Sequence, residues 1–304
     1  MLEKTQSTEI ENIYNRNKNK YILEKVSKNI FFISSLIAVL SLLLIIGFVF
    51  YKGLTPFIFK GYSFIDFFTG SDWLPGSDKF GIATMVVASI VATVGALIIG
   101  VPIGILTAVF IAEVAPKKVA KIISPAVELL AGIPSVLYGI FGLAVIVPNI
   151  QNIFNLPKGQ SLLAVIIVLS IMMLPTIISV SETAIRAVPK AYKEGSLALG
   201  ASKIETIFKV VLPAAKSGIL AAIVLGIGRA LGETMAVILV AGNSPVMPSS
   251  LMDSVRPLTT NIALEMGYAF GTHQEMIFAT GVVLFTIRLI LNLVLNKLSN
   301  KAGN

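Results

Sequence analysis

The 304-residue chain has no cysteine and only one histidine, His273. The first absence excludes disulfides, thiolate metal ligation and cysteine nucleophiles. The second removes the usual means of building a metal centre, and His273 alone reads as an ordinary loop residue. Charge is scarce too. Asp, Glu, Lys and Arg make up 13% of the chain, about half the level of a soluble domain. The 24 basic residues outnumber 16 acidic ones, but they form no patch with aromatic or motif support, so nothing points to nucleic acid. No GxxxxGK[ST] run is present, which leaves the chain without a nucleotide-binding phosphate loop. No internal repeat occurs, and the one biased stretch is the Asn/Lys-rich NRNKNK near the start.

What the chain has instead is long apolar runs. It is 55% hydrophobic, with a mean hydropathy of +0.87. A bilayer core about 30 Å thick takes roughly 20 apolar residues per helix, and several runs satisfy that. The sequence therefore predicts an all-α polytopic membrane protein. Its six spans fall at about 30–51, 81–112, 125–149, 161–181, 217–241 and 276–296, behind a polar arm at 1–29. The first run exceeds the roughly 7–15 apolar residues of a signal peptide and is read as a retained span.

Residues 80–112 run for 33 positions without a charge, about 50 Å of helix. One tilted helix, kinked at Gly100-Val101-Pro102, or two short helices would accommodate that length. Basic residues decide between them. With one helix there, 17 of the 24 fall on one side: six in the arm, three in 117–121, six in 186–216 and two in the tail. Lys52, Lys60, Lys79, Lys158 and Arg256 fall on the other, and Arg229 and Arg288 lie inside spans. That bias places both termini and the loop at 184–216 in the cytoplasm. Two outer segments, 52–80 and 243–275, remain; Trp73 and its neighbouring phenylalanines read as interfacial aromatics or as a docking surface for an external carrier.

The loop carries EGSLALGASKIETIFKVVLP, Glu194 to Pro213. PKAYKEGSLALG reads as a short helix with Pro189 near its start and Gly200 just past its end, where a left-handed turn is needed. Leu212-Pro213 marks a second break. A short helix held between two turns is a rigid knob. The spacing Glu-x5-Gly-x9-Val-x-Leu-Pro resembles the EAA loop of ABC-importer permeases, with Gly195 and Ser196 in place of two alanines. The resemblance implies that Glu194, Gly195, Ser196, Ala198 and Gly200 couple the chain to a partner ATPase.

The fifth span carries Arg229 about 15 Å from Ile219, near the bilayer midplane, with Glu233 one turn further on the same face. Arg288 lies near the middle of the sixth span. Each midplane charge costs about 2.5–3.5 kcal/mol, so such residues face a partner or a watery path. Arg229 and Glu233 could neutralise each other as a packing device. Arg288 is then left over, and two guanidiniums against one carboxylate suit the passage of an oxyanion. Gly226, Gly228 and Gly232 crowd the same helix, either for close packing or to line a path.

RALGETMAV at 229–237 resembles the signature of phosphate-importer permeases of the PstC type. DWLPGSDKFG at 72–81, AGIPSVLYGIFGL at 131–143, LPTIISVSETAIRAVP at 174–189 and LTTNIALE at 258–265 agree. The resemblance covers about 70–298 and implies a type I ABC-importer permease in a bacterial or archaeal plasma membrane, with Arg229, Glu233 and Arg288 in the transport path. It implies a second permease of the PstA type, a dimer of cytoplasmic ATPases carrying ATP and Mg, and an extracytoplasmic phosphate-binding protein. The chain itself would bind no cofactor and catalyse no reaction. Molybdate, sulfate or phosphonate would be alternative cargoes. An ion-coupled transporter with Glu233 as proton relay, or an intramembrane enzyme using Glu233 or Glu128, is the reading from other classes; the Glu194 loop argues against the former and the lack of a second carboxylate or serine–lysine dyad against the latter.

Overall fold

The computed structural model describes residues 2–303. It divides into a unit ending at Lys52 and a unit beginning at Gly53. The first unit is helical throughout its described residues and belongs to α1 (Leu2–Phe59), so the polar arm and the first span share one helix.

The second unit begins with a small outer assembly. Helix α2 (Phe64–Thr69) is capped by Ser63, whose hydroxyl accepts from the Asp66 N–H. Strands β1 (Trp73–Leu74) and β2 (Lys79–Phe80) pair antiparallel, with Asp78 supplying a left-handed turn at φ 52°. Phe67, Trp73 and Phe80 are buried together with Met276 and Ile277.

Helix α3 (Ala83–Val109) is unbroken, with Pro102 inside it, and continues through a π-turn at Phe110–Val114. Its packing follows from a period of four. Ala88, Ala92, Ala96, Gly100, Gly104 and Ala108 are all buried, which makes one ridge of small side chains along the helix. Against it lies α7 (Leu162–Arg186), capped by Ser161. A Cβ at Gly100 would stand 2.8 Å from the Met173 sulfur, and one at Gly104 2.7 Å from Ile177. The helices approach closely because those side chains are missing.

Between them the chain departs from the expected single helix at 125–149. It forms α4 (Lys117–Gly132), breaks at Ile133–Pro134, then runs through α5 (Ser135–Phe141), a π-turn at Gly142–Ile146 and α6 (Val147–Ile153). The break is set by Pro134, which cannot donate a helical hydrogen bond. The Tyr138 hydroxyl braces it by donating to the Leu130 carbonyl at 2.7 Å. The membrane-length apolar segment is consequently Ser135–Ile153.

After α7 come α8 (Lys190–Ala198), α9 (Lys203–Thr206), a π-turn at Ile207–Val211 and the single turn α10 (Leu212–Ala214). Helix α11 (Lys216–Gly232) follows at 71° to the segment before it. The expected continuous span at 217–241 is interrupted: α11 ends at Gly232, Glu233 is extended, and α12 (Met235–Val240) begins anew. Helices α13 (Leu258–Glu265) and α14 (Gly271–Gly303) complete the chain. Among the described residues, five helices are long and apolar enough to cross a membrane, or six with the bent pair counted as one span.

Candidate functional site

The loop at 184–216 is built as a rigid projection. Pro189 is extended at φ −55°, ψ 134° and starts α8. Gly200 adopts φ +87° and closes the helix, with its N–H donating to Leu197 and the Ala201 N–H to Ser196. These two bonds form a Schellman end, which needs a left-handed residue at Gly200. Ser202 and Glu205 form a reciprocal capping box on α9. Hydrogen bonds from the Ser202 backbone and hydroxyl, and the nearby Lys209 ammonium, hold the Glu205 carboxyl below its ordinary range. The Ser196 and Thr206 hydroxyls meet at 3.0 Å and join α8 to α9. Lys193 pairs with Glu113 at the end of α3, which ties the projection to a membrane span. Its outer face is apolar: Leu199 is 91% exposed, and Tyr192, Leu197, Ile204 and Phe208 are exposed with it. Glu194, Gly195, Ala198 and Gly200 are exposed on the same small unit, and a Cβ at Gly195 would meet open space.

The charges inside the spans are arranged differently from a simple helical pair. Arg229 is half-buried on α11, and its Nη1 donates to the Thr176 hydroxyl of α7 at 3.3 Å. No ion pair joins it to Glu233, because the helix ends between them. Glu233 instead turns toward the next helix. Its Oε1 accepts from the Ala236 N–H at 3.1 Å, and its carbonyl accepts from the Thr259 hydroxyl at 2.9 Å. The carboxylate thus caps α12 and complements that helix's positive end.

Arg288 reaches the same helix from α14, which packs against α11. A Cβ at Gly232 would lie 3.2 Å from its Nη1, and one at Gly228 3.5 Å from its Nη2. The two glycines therefore seat the Arg288 guanidinium. Gly226 differs in role, since it faces Ile177 and Met173 of α7. Arg229 and Arg288 accordingly border one helix without a carboxylate within ion-pairing reach of either, among the described residues. Thr176 escaped sequence reasoning; its signal was a hydroxyl beside Pro175 in an apolar span.

A second polar centre lies in the outer segments, and here the expectations for Trp73 and His273 are corrected. Trp73 is 3% exposed, not interfacial, and its Nε1 donates to Glu265 at 2.7 Å. His273 sits in the first turn of α14 with Nε2 2.8 Å from Glu265. Arg256 contributes the third contact, Nη1 to Glu265 at 2.7 Å, while its Nε donates to the Asn243 carbonyl at 2.7 Å. Glu265, itself 5% exposed, links the hairpin, the loop after α12 and the start of α14. No group of metal-ligating side chains occurs among the described residues.

The chain belongs to the family described as "Binding-protein-dependent transport system inner membrane component", which it matches over residues 100–303. It is thus a multi-pass inner-membrane permease of the ABC-importer class, whose members work with an ATPase and a binding protein, and not an enzyme. Among its relatives, the "Probable ABC transporter permease protein YqgH" of Bacillus subtilis (strain 168) is 42% identical over 254 residues, 82% of each chain. The "Phosphate transport system permease protein PstC" of Xylella fastidiosa (strain 9a5c) is 35% identical over 263 residues, 79% of this chain and 81% of its own. The "Probable phosphate transport system permease protein PstC" of Methanocaldococcus jannaschii is 31% identical over 273 residues, 83% and 85%. In fold the chain is similar to a MetNI methionine ABC transporter chain, with TM-score 0.55 and 21% identity over 74% of this chain and 95% of that one. It is likewise similar to a bacterial alginate ABC transporter chain, with TM-score 0.58 and 21% identity over 88% and 95%.

Proposed function

We propose that the chain is the PstC-type permease subunit of an ATP-driven importer that moves inorganic phosphate into the cytoplasm. The observation that carries this reading is the pair of guanidiniums, Arg229 and Arg288, held at one helix without carboxylate partners. Such forks match the oxygens of a phosphate, and Glu233 beside them keeps the site from becoming a trap, as conduction requires. The 31–35% identity to proteins named PstC supports the same cargo. Phosphate itself undergoes no chemistry; Arg229, Glu233 and Arg288 form its path.

In this reading a PstA-type permease completes the membrane pore, and an extracytoplasmic phosphate-binding protein delivers the cargo. A dimer of cytoplasmic ATPases, with ATP and Mg, receives Glu194, Gly195, Ser196, Ala198 and Gly200 with the exposed Leu199. Both termini are cytoplasmic. Phosphate uptake by reconstituted vesicles with ATP inside the ATPase-bearing compartment is the direct test. Uptake should proceed with sulfate and molybdate as poor competitors; full inhibition by either would reassign the cargo to that oxyanion.

A further inference from the structure

The side of the molecule that carries the Glu194 loop has a second cationic feature, which the transport reading does not use. An open surface groove of about 480 Å³, largely apolar in its floor, is bordered by Lys117, Ala120, Lys121, Ser124, Pro125 and Arg186, with the three cations exposed at it. It sits where two spans end, α3 at the π-turn Phe110–Val114 and α7 at Arg186. Arg186 is ten residues from Thr176 along α7, about 15 Å of helix, so the groove is well separated from the Arg229 site.

Lys117 and Lys121 lie one turn apart at the start of α4 and share a face. Cations there oppose the helix macrodipole rather than complement it, so the helix itself gives no reason for them. No ion pair forms with either among the described residues; Glu113, close in sequence, is taken by Lys193. Arg186 is fixed from two sides, with Nε donating to Glu182 at 2.9 Å and Nη2 to the Ile111 carbonyl at 3.2 Å. Its Nη1 keeps no partner among the described residues. Ser124 donates to the same Glu182 at 3.1 Å. Lys117, Lys121 and Arg186 thus line one groove, and Arg186 and Ser124 both hold Glu182. Ammonium and guanidinium donors around a polar hydroxyl suit phosphate oxygens. Basic pockets between spans at membrane-surface depth take phosphate head groups.

We propose that this groove binds a phosphate-bearing anion, supplied either as an anionic phospholipid head group or as inorganic phosphate on that face. The test uses the purified full-length protein and two probes. Equilibrium dialysis with radiolabelled inorganic phosphate reads the free ion. Retention of phosphatidylglycerol against phosphatidylcholine, after reconstitution in nanodiscs of both, reads the lipid. At least one probe should bind the unaltered protein and be weakened about tenfold or more by Lys117→Gln with Lys121→Gln. Lys118→Gln, which removes one neighbouring lysine charge outside the groove, should leave that binding in place and reports on folding. Equal binding of both probes by the paired variant and the unaltered protein, or an equal loss with Lys118→Gln, overturns the site. Arg229→Gln in the same dialysis reads phosphate bound in the transport path, so the two readings fail separately.

Discussion

At the scale of single residues, the structure assigns work by reach rather than by sequence distance. Glu233 and Arg229 are four positions apart yet serve different neighbours, α12 and Thr176. Replacing Arg229 and Glu233 together by glutamine should leave the complex assembled and abolish phosphate uptake; uptake at the original rate would remove the pair from the path. Gly232→Ala is a gentler probe, since the new methyl would meet the Arg288 guanidinium at 3.2 Å and the side chain must give way. Uptake should fall several-fold with unchanged expression, and more than for Gly47→Ala, where nothing lies within 4 Å. In the outer centre, Glu265→Ala strands the half-buried Arg256 and should lower stability by about 3 kcal/mol. Trp73→Phe, which loses one hydrogen bond to that carboxylate, should cost about 1.5–3 kcal/mol. Thermal melting in detergent measures both. The Glu265 centre could not be read from the sequence because its partners are distant in the chain; Trp73 precedes Glu265 by 192 residues. Local patterns carry no signal for such a meeting.

At the scale of elements, caps and breaks set the geometry. Gly200 was legible, since a glycine at a helix end announces a left-handed turn, and it sits at φ +87°. Gly200→Asp should disrupt that end and uncouple ATP hydrolysis from uptake while the spans still insert; normal ATP-driven uptake by this variant would refute the coupling role. The capping box on α9 gives a pH signature. Because the Glu205 carboxyl is held below its ordinary range in the fold, its contribution is present above the unfolded glutamate range. It is lost as pH falls through the lowered value. Protection of the α9 amides, taken relative to their intrinsic exchange rate at each pH, should therefore fall on acidification, and Ser202→Ala should flatten the dependence. The breaks at Pro134 and Glu233 were harder to see. Hydropathy reports which residues are apolar, and both sides of each break are; it does not report where the backbone ladder stops. At Glu233 the stop comes with a capping carboxylate, a role that the i,i+4 reading of the same residue obscured.

At the scale of the whole molecule, the class was legible from composition and one loop, because a bilayer imposes a length on its helices and coupling imposes a rigid knob between two of them. How those helices meet was not, since apolar side chains all look alike to lipid. The ridge from Ala88 to Ala108 resolves that for α3 and α7. It also fixes what the chain will tolerate. If every position from 84 to 109 were varied in turn and uptake measured, the exposed Ile90, Val94, Ile98 and Leu106 should accept almost any apolar residue. Positions 88, 92, 96 and 108 should accept only alanine, glycine or serine, and positions 100 and 104, where a Cβ would meet Met173 and Ile177 inside 3.0 Å, only glycine without loss. The tolerance profile would then look like a comb, its teeth four residues apart, and the distance between two helices would be written in the mutational record of one.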